Sequence, residues 1–234
     1  PRYEEIVLAF HGHGRDEVAG VAETKDREAR IERLHYDFGA GAANRGYLTF
    51  VPDMRGFGLR SLPGADSCRR LAASAAAAGI SLKGLHTHDA MRLIDYLAEQ
   101  EDTRDRPVGA LGLSGGGGSV MWLAAMDERV EFAVISAHLK TYREDKAGCP
   151  CNLVPGQLHL AGRGEIAALI PPRRLFVQNG SNDSGCPVPL AREAMKPPAV
   201  LAKLLGAPAP RLEIHPGGHE WSDAEVWDWI ASAP

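Results

Sequence analysis

With 234 residues, 24% of them charged, and a formal net charge of −4, the chain can bury one good core and has no excess of basic residues to form the stripe that a nucleic-acid partner requires. No apolar run approaches the length that spans a bilayer; 71–78 is short and rich in alanine. Four cysteines (Cys68, Cys149, Cys151 and Cys186) are too few to form a disulfide framework at this length.

In chain order, Glu5-Ile6-Val7-Leu8-Ala9-Phe10 reads as a strand that ends in the turn His11-Gly12-His13-Gly14. Residues 27–33 interleave Arg27, Arg30 and Arg33 with Glu28 and Glu32, as on a solvated helix face. A second strand, centred on Phe50, opens into Val51-Pro52-Asp53-Met54-Arg55-Gly56-Phe57-Gly58, where Asp53 and Arg55 are placed to brace the preceding turn. A helical pattern covers 89–100. Pro107-Val108-Gly109-Ala110-Leu111 is then a third strand, running through Gly112-Leu113-Ser114-Gly115-Gly116 into a helix over 119–127. A fourth strand is centred on Val134, and the stretch 138–164 is long, rich in Gly, Pro and Cys, and not plainly helical. Arg174-Leu175-Phe176-Val177-Gln178 is a fifth strand and leads into the polar turn 179–185; a helical pattern follows over 189–206. The sixth strand, Arg211-Leu212-Glu213-Ile214, delivers His215-Pro216-Gly217-Gly218-His219, with a last helix over 223–231. Strands alternating with helices imply a parallel sheet of about six strands with right-handed crossovers and helices on both faces.

The chemistry is concentrated at Ser114. A Walker loop needs Lys and then Ser or Thr after its last glycine, and a dinucleotide fingerprint needs glycine where Ser114 stands; neither is present. A serine between glycines on a sharp strand-to-helix turn instead has its hydroxyl pushed out at the carboxyl edge of the sheet, beside the N–H groups of a helix start. Asp183 follows the fifth strand and His219 follows the sixth, which gives the chain order Ser, Asp, His. At the end of the first strand, the N–H of His13 is placed to share a developing oxyanion with the N–H of Gly115; losing one such donor costs about 2.7–4 kcal/mol. Glu220 adjoins His219 in sequence and is poorly placed to orient it as the acid.

Taken together, these residues resemble the α/β-hydrolase superfamily, and within it the dienelactone-hydrolase-like and acetyl-xylan-esterase-like branch of small serine carboxylesterases. The segments that carry the resemblance are Phe10-His11-Gly12-His13-Gly14, 51–58, 89–97, the Ser114 turn, Ile170-Pro171-Pro172-Arg173 and Gly217-Gly218-His219-Glu220. It implies one domain over 1–234, with the second strand outside the first and the others following in order on the other side. It also implies a cap-like excursion over 138–164 and hydrolysis of a small ester, acetyl esters included. His138, Leu139, Tyr142, Leu153, Pro155, His159 and Trp221 are the expected pocket walls. Dienelactone hydrolases proper use cysteine, so Ser114 points to ordinary esters. Members usually begin with an antiparallel hairpin that is missing here, so either the hairpin is dispensable or residues precede Pro1 in the natural protein.

Two other classes compete with this reading. A metal-dependent hydrolase would use His11-x-His13 with Asp16, or His86-x-His88 with Asp89. The first pair is accounted for by the oxyanion turn, and the second falls in a helical pattern, where positions i and i+2 do not face together. A non-catalytic binding module would be expected to lack a member of the triad, and all three are present. Cys149-Pro150-Cys151 falls short of the spacing of zinc-binding pairs and needs two further ligands, so the cysteines are read as ordinary thiols and neither metal nor cofactor is expected. The expected partner is a small-molecule ester, with no nucleic acid and no membrane. The cytoplasm is favoured over secretion, which would follow if residues before Pro1 had been removed.

Overall fold

A computed structural model describes residues 5–13, 16–20, 24–142 and 148–232, the side chains of residues 16 and 17 excepted. Gly14 of the turn expected to hold an oxyanion, the Asp16 carboxylate of the metal reading and residues 143–147 of the expected excursion therefore lie outside the described residues. Six strands form one sheet: β1 (Ile6–Phe10), β2 (Leu48–Phe50), β3 (Val108–Leu113), β4 (Val130–Ser136), β5 (Arg174–Gly180) and β6 (Arg211–His215). Their order is β2-β1-β3-β4-β5-β6, and every neighbouring pair is parallel. The sequence expectation of a parallel sheet with its second strand outermost matches this order.

The helices are α1 (Lys25–Leu34), α2 (Phe38–Asn44), α3 (Ser67–Ala77), α4 (Leu82–Glu99), α5 (Gly115–Met126), α6 (Gln157–Leu160), α7 (Arg163–Ala167), α8 (Val188–Ala194), α9 (Lys196–Leu205) and α10 (Val226–Ala231). No helix among the described residues is long and apolar enough to cross a membrane.

The central strands are apolar at nearly every position because both faces of the sheet are covered. Alternate residues serve different cores: Ile6, Leu8 and Phe10 pack with Ile94, Val120, Leu123 and Ile166, whereas Val7 and Ala9 pack with Phe38, Trp221, Trp227 and Ile230. Local signals set the helix boundaries. The Ser81 hydroxyl accepts the N–H of Gly84 and so caps α4, which starts seven residues before the helical pattern read from 89 onward. The single helix expected over 189–206 is two, α8 and α9. Pro197 and Pro198 have no N–H to donate back into the preceding turn, and the chain breaks at Met195. The helix α1 buries no residue, as its charge pattern suggests.

Candidate active site

β3 ends in a turn that leaves Ser114 at φ +59°, ψ −119°, a conformation that costs a non-glycine residue on the order of 1–3 kcal/mol. Its N–H donates to the Ser136 carbonyl of β4 (2.9 Å), and the Ser114 carbonyl accepts the N–H of Gly118 (3.1 Å). Gly116 makes the turn possible, because a Cβ there would lie 1.8 Å from the carbonyl oxygen of Phe10. The turn after β1 passes in direct contact with the serine: a Cβ on Gly12 would lie 3.2 Å from Ser114 Cβ.

His11 anchors that turn. Its Nε2 accepts the N–H of Met54 (3.1 Å), so the proton sits on Nδ1, which donates to the Gly12 carbonyl (2.7 Å). Met54 lies between Asp53 and Arg55, and both of those are tied down: Asp53 accepts the N–H of Leu59 (2.8 Å), and Arg55 forms a two-pronged pair with Asp89 (2.8 Å each). Bracing from 53–55 thus reaches the turn through the backbone of Met54.

Asp183 and His219 are brought together by the ends of β5 and β6. Ser181 N–H donates to the His215 carbonyl (2.9 Å) and Asn182 N–H to the Gly217 carbonyl (2.8 Å). Only glycine permits this closure at position 180, where a Cβ would lie 2.1 Å from the Gly218 carbonyl oxygen. His219 Nδ1 then lies 2.8 Å from Asp183 Oδ2, while Asp183 Oδ1 accepts the N–H groups of Gly185 (2.8 Å) and Cys186 (3.1 Å). The Asp183 side chain is 2% exposed. Burial pushes its pKa up, but the hydrogen bonds from His219, Gly185 and Cys186 outweigh burial and hold the carboxyl below its ordinary value.

Ser114 and His219 face one pocket of about 160 Å³, together with His13, His138, Lys140, Tyr142, Cys149, Asn152, Leu153 and Arg163. Of the walls expected from sequence, His138, Tyr142 and Leu153 are there. His138 is buried beneath the serine, its ring hydrogen-bonded to the Ser114 backbone; burial, followed by the charge of Arg163, pushes its pKa well down. The other four lie elsewhere. Leu139 is fully buried in the core, and Trp221 is equally buried, stacked on Phe38 at 4.4 Å with its indole N–H on Asp223. Pro155 is exposed away from the pocket, and His159 lines a separate cleft on the far side of Tyr142 and Leu153. Proximity in sequence to Ser114 or His219 said nothing about which face of the sheet a side chain would join.

The histidine pairs of the metal reading separate. His86 is buried in α4, its Nε2 donating to the Arg55 carbonyl (2.8 Å), while His88 points outward with 63% of its side chain exposed. Both ring nitrogens of His11 are taken, as described above. His13 instead gathers with Cys68, Cys149 and Cys151, so that the cysteine pair has beside it the two further donors that its sequence neighbourhood lacked. Burial and the nearby Cys149 push the Cys68 and Cys151 thiols up; burial, then the charges of Arg69 and Lys83, push the His13 imidazole down.

Several supporting residues escaped the sequence reading. Lys83 is 2% exposed, and its ammonium donates to the Gly115 carbonyl and the Ser119 hydroxyl (2.9 Å each), fastening the first turn of α5. Burial lowers its pKa to about 8. Asn179 Nδ2 donates to the Cys186 carbonyl (2.6 Å), and Gln178 Oε1 accepts the Ser222 N–H (2.8 Å), so two buried amides on β5 hold both site loops. Their signal in the sequence is two amide side chains at the end of an otherwise apolar strand. A larger groove, between α7 and α9, shares Tyr142 and Arg163 with the site but is lined by neither Ser114 nor His219.

Methylesterase BT1017 superposes with a TM-score of 0.72 at 22% identity, covering 100% of this chain and 49% of its own. A glucuronoyl esterase from Solibacter usitatus superposes at 0.64 and 17% identity, covering 98% of this chain and 73% of its own. This is the α/β-hydrolase fold. Within this fold the Ser114 turn occupies the strand-to-helix elbow, and the Asp183 and His219 loops follow later strands at the same sheet edge. In sequence, the chain is 28% identical over 178 residues to YtaP of Bacillus subtilis (strain 168), a protein assigned as a hydrolase; the match covers 71% of this chain and 56% of YtaP. The chain thus spans little more than half the length of that relative. No family model matches the sequence.

Proposed function

We propose that the chain is a serine hydrolase of small carboxylic esters that works through an acyl-enzyme intermediate. One observation carries the reading: Ser114, held at positive φ on the elbow, opens onto the same pocket as His219, whose Nδ1 is bonded to the buried Asp183 carboxylate. In this mechanism Asp183 keeps the neutral imidazole protonated on Nδ1 and leaves Nε2 as the base. Ser114 Oγ attacks the ester carbonyl as its proton passes to His219, and the N–H groups of Gly115 and His13 take the oxyanion. The tetrahedral intermediate collapses, the alcohol leaves with the proton from His219, and a water deprotonated by the same imidazole then releases the acid.

The described part of the segment 138–164 serves as the cap, since Tyr142, Cys149, Asn152, Leu153 and Arg163 all line the pocket. A volume of about 160 Å³ is below the roughly 300–1,000 Å³ typical of sites for drug-sized ligands and suits a short acyl group. The names carried by YtaP, the methylesterase and the glucuronoyl esterase agree with ester hydrolysis.

An alkyl fluorophosphonate is expected to label Ser114, and Ser114→Ala to lose both label and turnover, the latter by about 10⁴-fold or more, while keeping its melting temperature. Turnover retained in that variant overturns the assignment. Across p-nitrophenyl esters of rising chain length, kcat/KM is expected to peak at the shortest acyl groups; a peak at long chains would contradict the pocket size.

A further inference from the structure

We propose that His13, Cys68, Cys149 and Cys151 form a closed four-coordinate site for zinc, built against the wall of the serine pocket. The His13 ring nitrogen and the three sulfurs all lie within 4.8 Å of one another. Cys68 Sγ is 3.8 Å from Cys149 Sγ and 3.8 Å from His13 Nε2, and Cys151 Sγ is 3.9 Å from the same nitrogen. Tetrahedral zinc with bonds of about 2.3 Å to sulfur and 2.0–2.1 Å to nitrogen has S···S edges of about 3.8 Å and S···N edges of about 3.6 Å. Three of the six edges are therefore within about 0.3 Å of those such an ion requires, and with every donor inside 4.8 Å of the others, side-chain rotations would complete the set.

The surroundings fit a soft-metal centre with Cys68 and Cys151 buried, Cys149 half-buried and His13 exposed on the pocket side. Cys68 and Cys151 pack in an apolar cluster with Ala72, Leu82, Leu71 and Leu85, and the Phe57 ring meets His13 edge-on at 5.4 Å. Three thiolates, a neutral imidazole and Zn²⁺ sum to one negative charge, and the buried ammonium of Lys83, electrostatically coupled to Cys149 and Cys151, opposes it. The single residue between Cys149 and Cys151 is Pro150, which opens a 3₁₀ turn (Pro150–Asn152) that directs both sulfurs to one point. With four protein donors the site leaves no position for water, so the ion is structural rather than catalytic. It would tie the turn after β1 to the start of α3 and to the segment that holds Cys149 and Cys151.

The full chain, reduced and freed of metal, is expected to bind one zinc per molecule that survives gel filtration, and to melt at a higher temperature with zinc than with a chelator. Cobalt in place of zinc is expected to give the intense visible bands of tetrahedral coordination and thiolate charge-transfer absorption. Cys68→Ser and Cys149→Ser should each weaken zinc binding by about 100-fold or more, and Cys186→Ser should leave it unchanged. Metal content far below one per chain, a weak octahedral cobalt spectrum, or zinc binding unaltered by both ligand substitutions overturns the proposal. So does a Cys68–Cys149 disulfide, seen by mass in protein purified without reductant and formed in preference to metal uptake. Metal content and cobalt absorption are read without an ester assay, so the outcome does not depend on Ser114 being the nucleophile.

Discussion

At the scale of single residues, the Asp183 carboxylate is held at both of its oxygens. One carboxylate oxygen is committed to the N–H groups of Gly185 and Cys186, and the other to the imidazole. Asp183→Asn can preserve the first set by keeping its carbonyl oxygen toward the loop, but it then presents an amide N–H to His219 Nδ1. That arrangement favours the tautomer with its proton on Nε2, which cannot act as a base. The expected outcome is a fall in kcat of about 10⁴-fold with little change in melting temperature, measured on a short-chain ester. A loss of less than about tenfold would mean that the acid lies elsewhere.

At the scale of elements, the elbow depends on how closely α5 lies against β1. The position that a Cβ at Gly116 would occupy is blocked by the backbone of Phe10, which cannot rotate aside as a side chain could. Gly116→Ala is expected to cost about 3 kcal/mol or more and to lower the melting temperature by about 6–12 °C. Among the described residues, no atom lies within 4 Å of the methyl group that Gly148→Ala would add, and the variant should fall within about 0.5 kcal/mol of the parent, which makes it the control. Equal melting temperatures for the two variants would refute the packing argument.

At the scale of the whole molecule, histidines held neutral make stability fall in mild acid, before the paired carboxylates of Asp89, Asp127 and Asp183 are protonated. Burial, followed by the charge of Lys83, pushes His86 down to about 3; burial also lowers His13, His138 and His215. In the unfolded chain each titrates near 6.5. Below about pH 6.5 the unfolded state therefore takes up protons that the folded state refuses, and stability falls as pH drops toward 3. His86 alone contributes on the order of a few kcal/mol to this loss. Urea midpoints measured between pH 7.5 and 4.5 should decline steadily, and His86→Gln should flatten part of the slope. A stability independent of pH across that window would show that these imidazoles are hydrated.

The sequence by itself determined the alternation of strands and helices, the glycine-framed serine and the order Ser114, Asp183, His219. These are local facts, fixed by side-chain period and by which residues tolerate a tight turn. The same local logic placed α1 on the surface, but it could not see that Pro197 and Pro198 would divide one helical pattern into two. What only the tertiary structure decided is convergence. Cys68 and Cys149 are 81 positions apart and His13 and Cys151 are 138 apart, yet their donor atoms meet because three connections end at one sheet edge. Leu139 and Trp221 went the other way: near pocket residues in sequence, they were drawn into the core, where burying a large apolar side chain yields more than lining a small, open cleft. Burial and donor geometry are properties of the folded chain in three dimensions, and no window of sequence contains them.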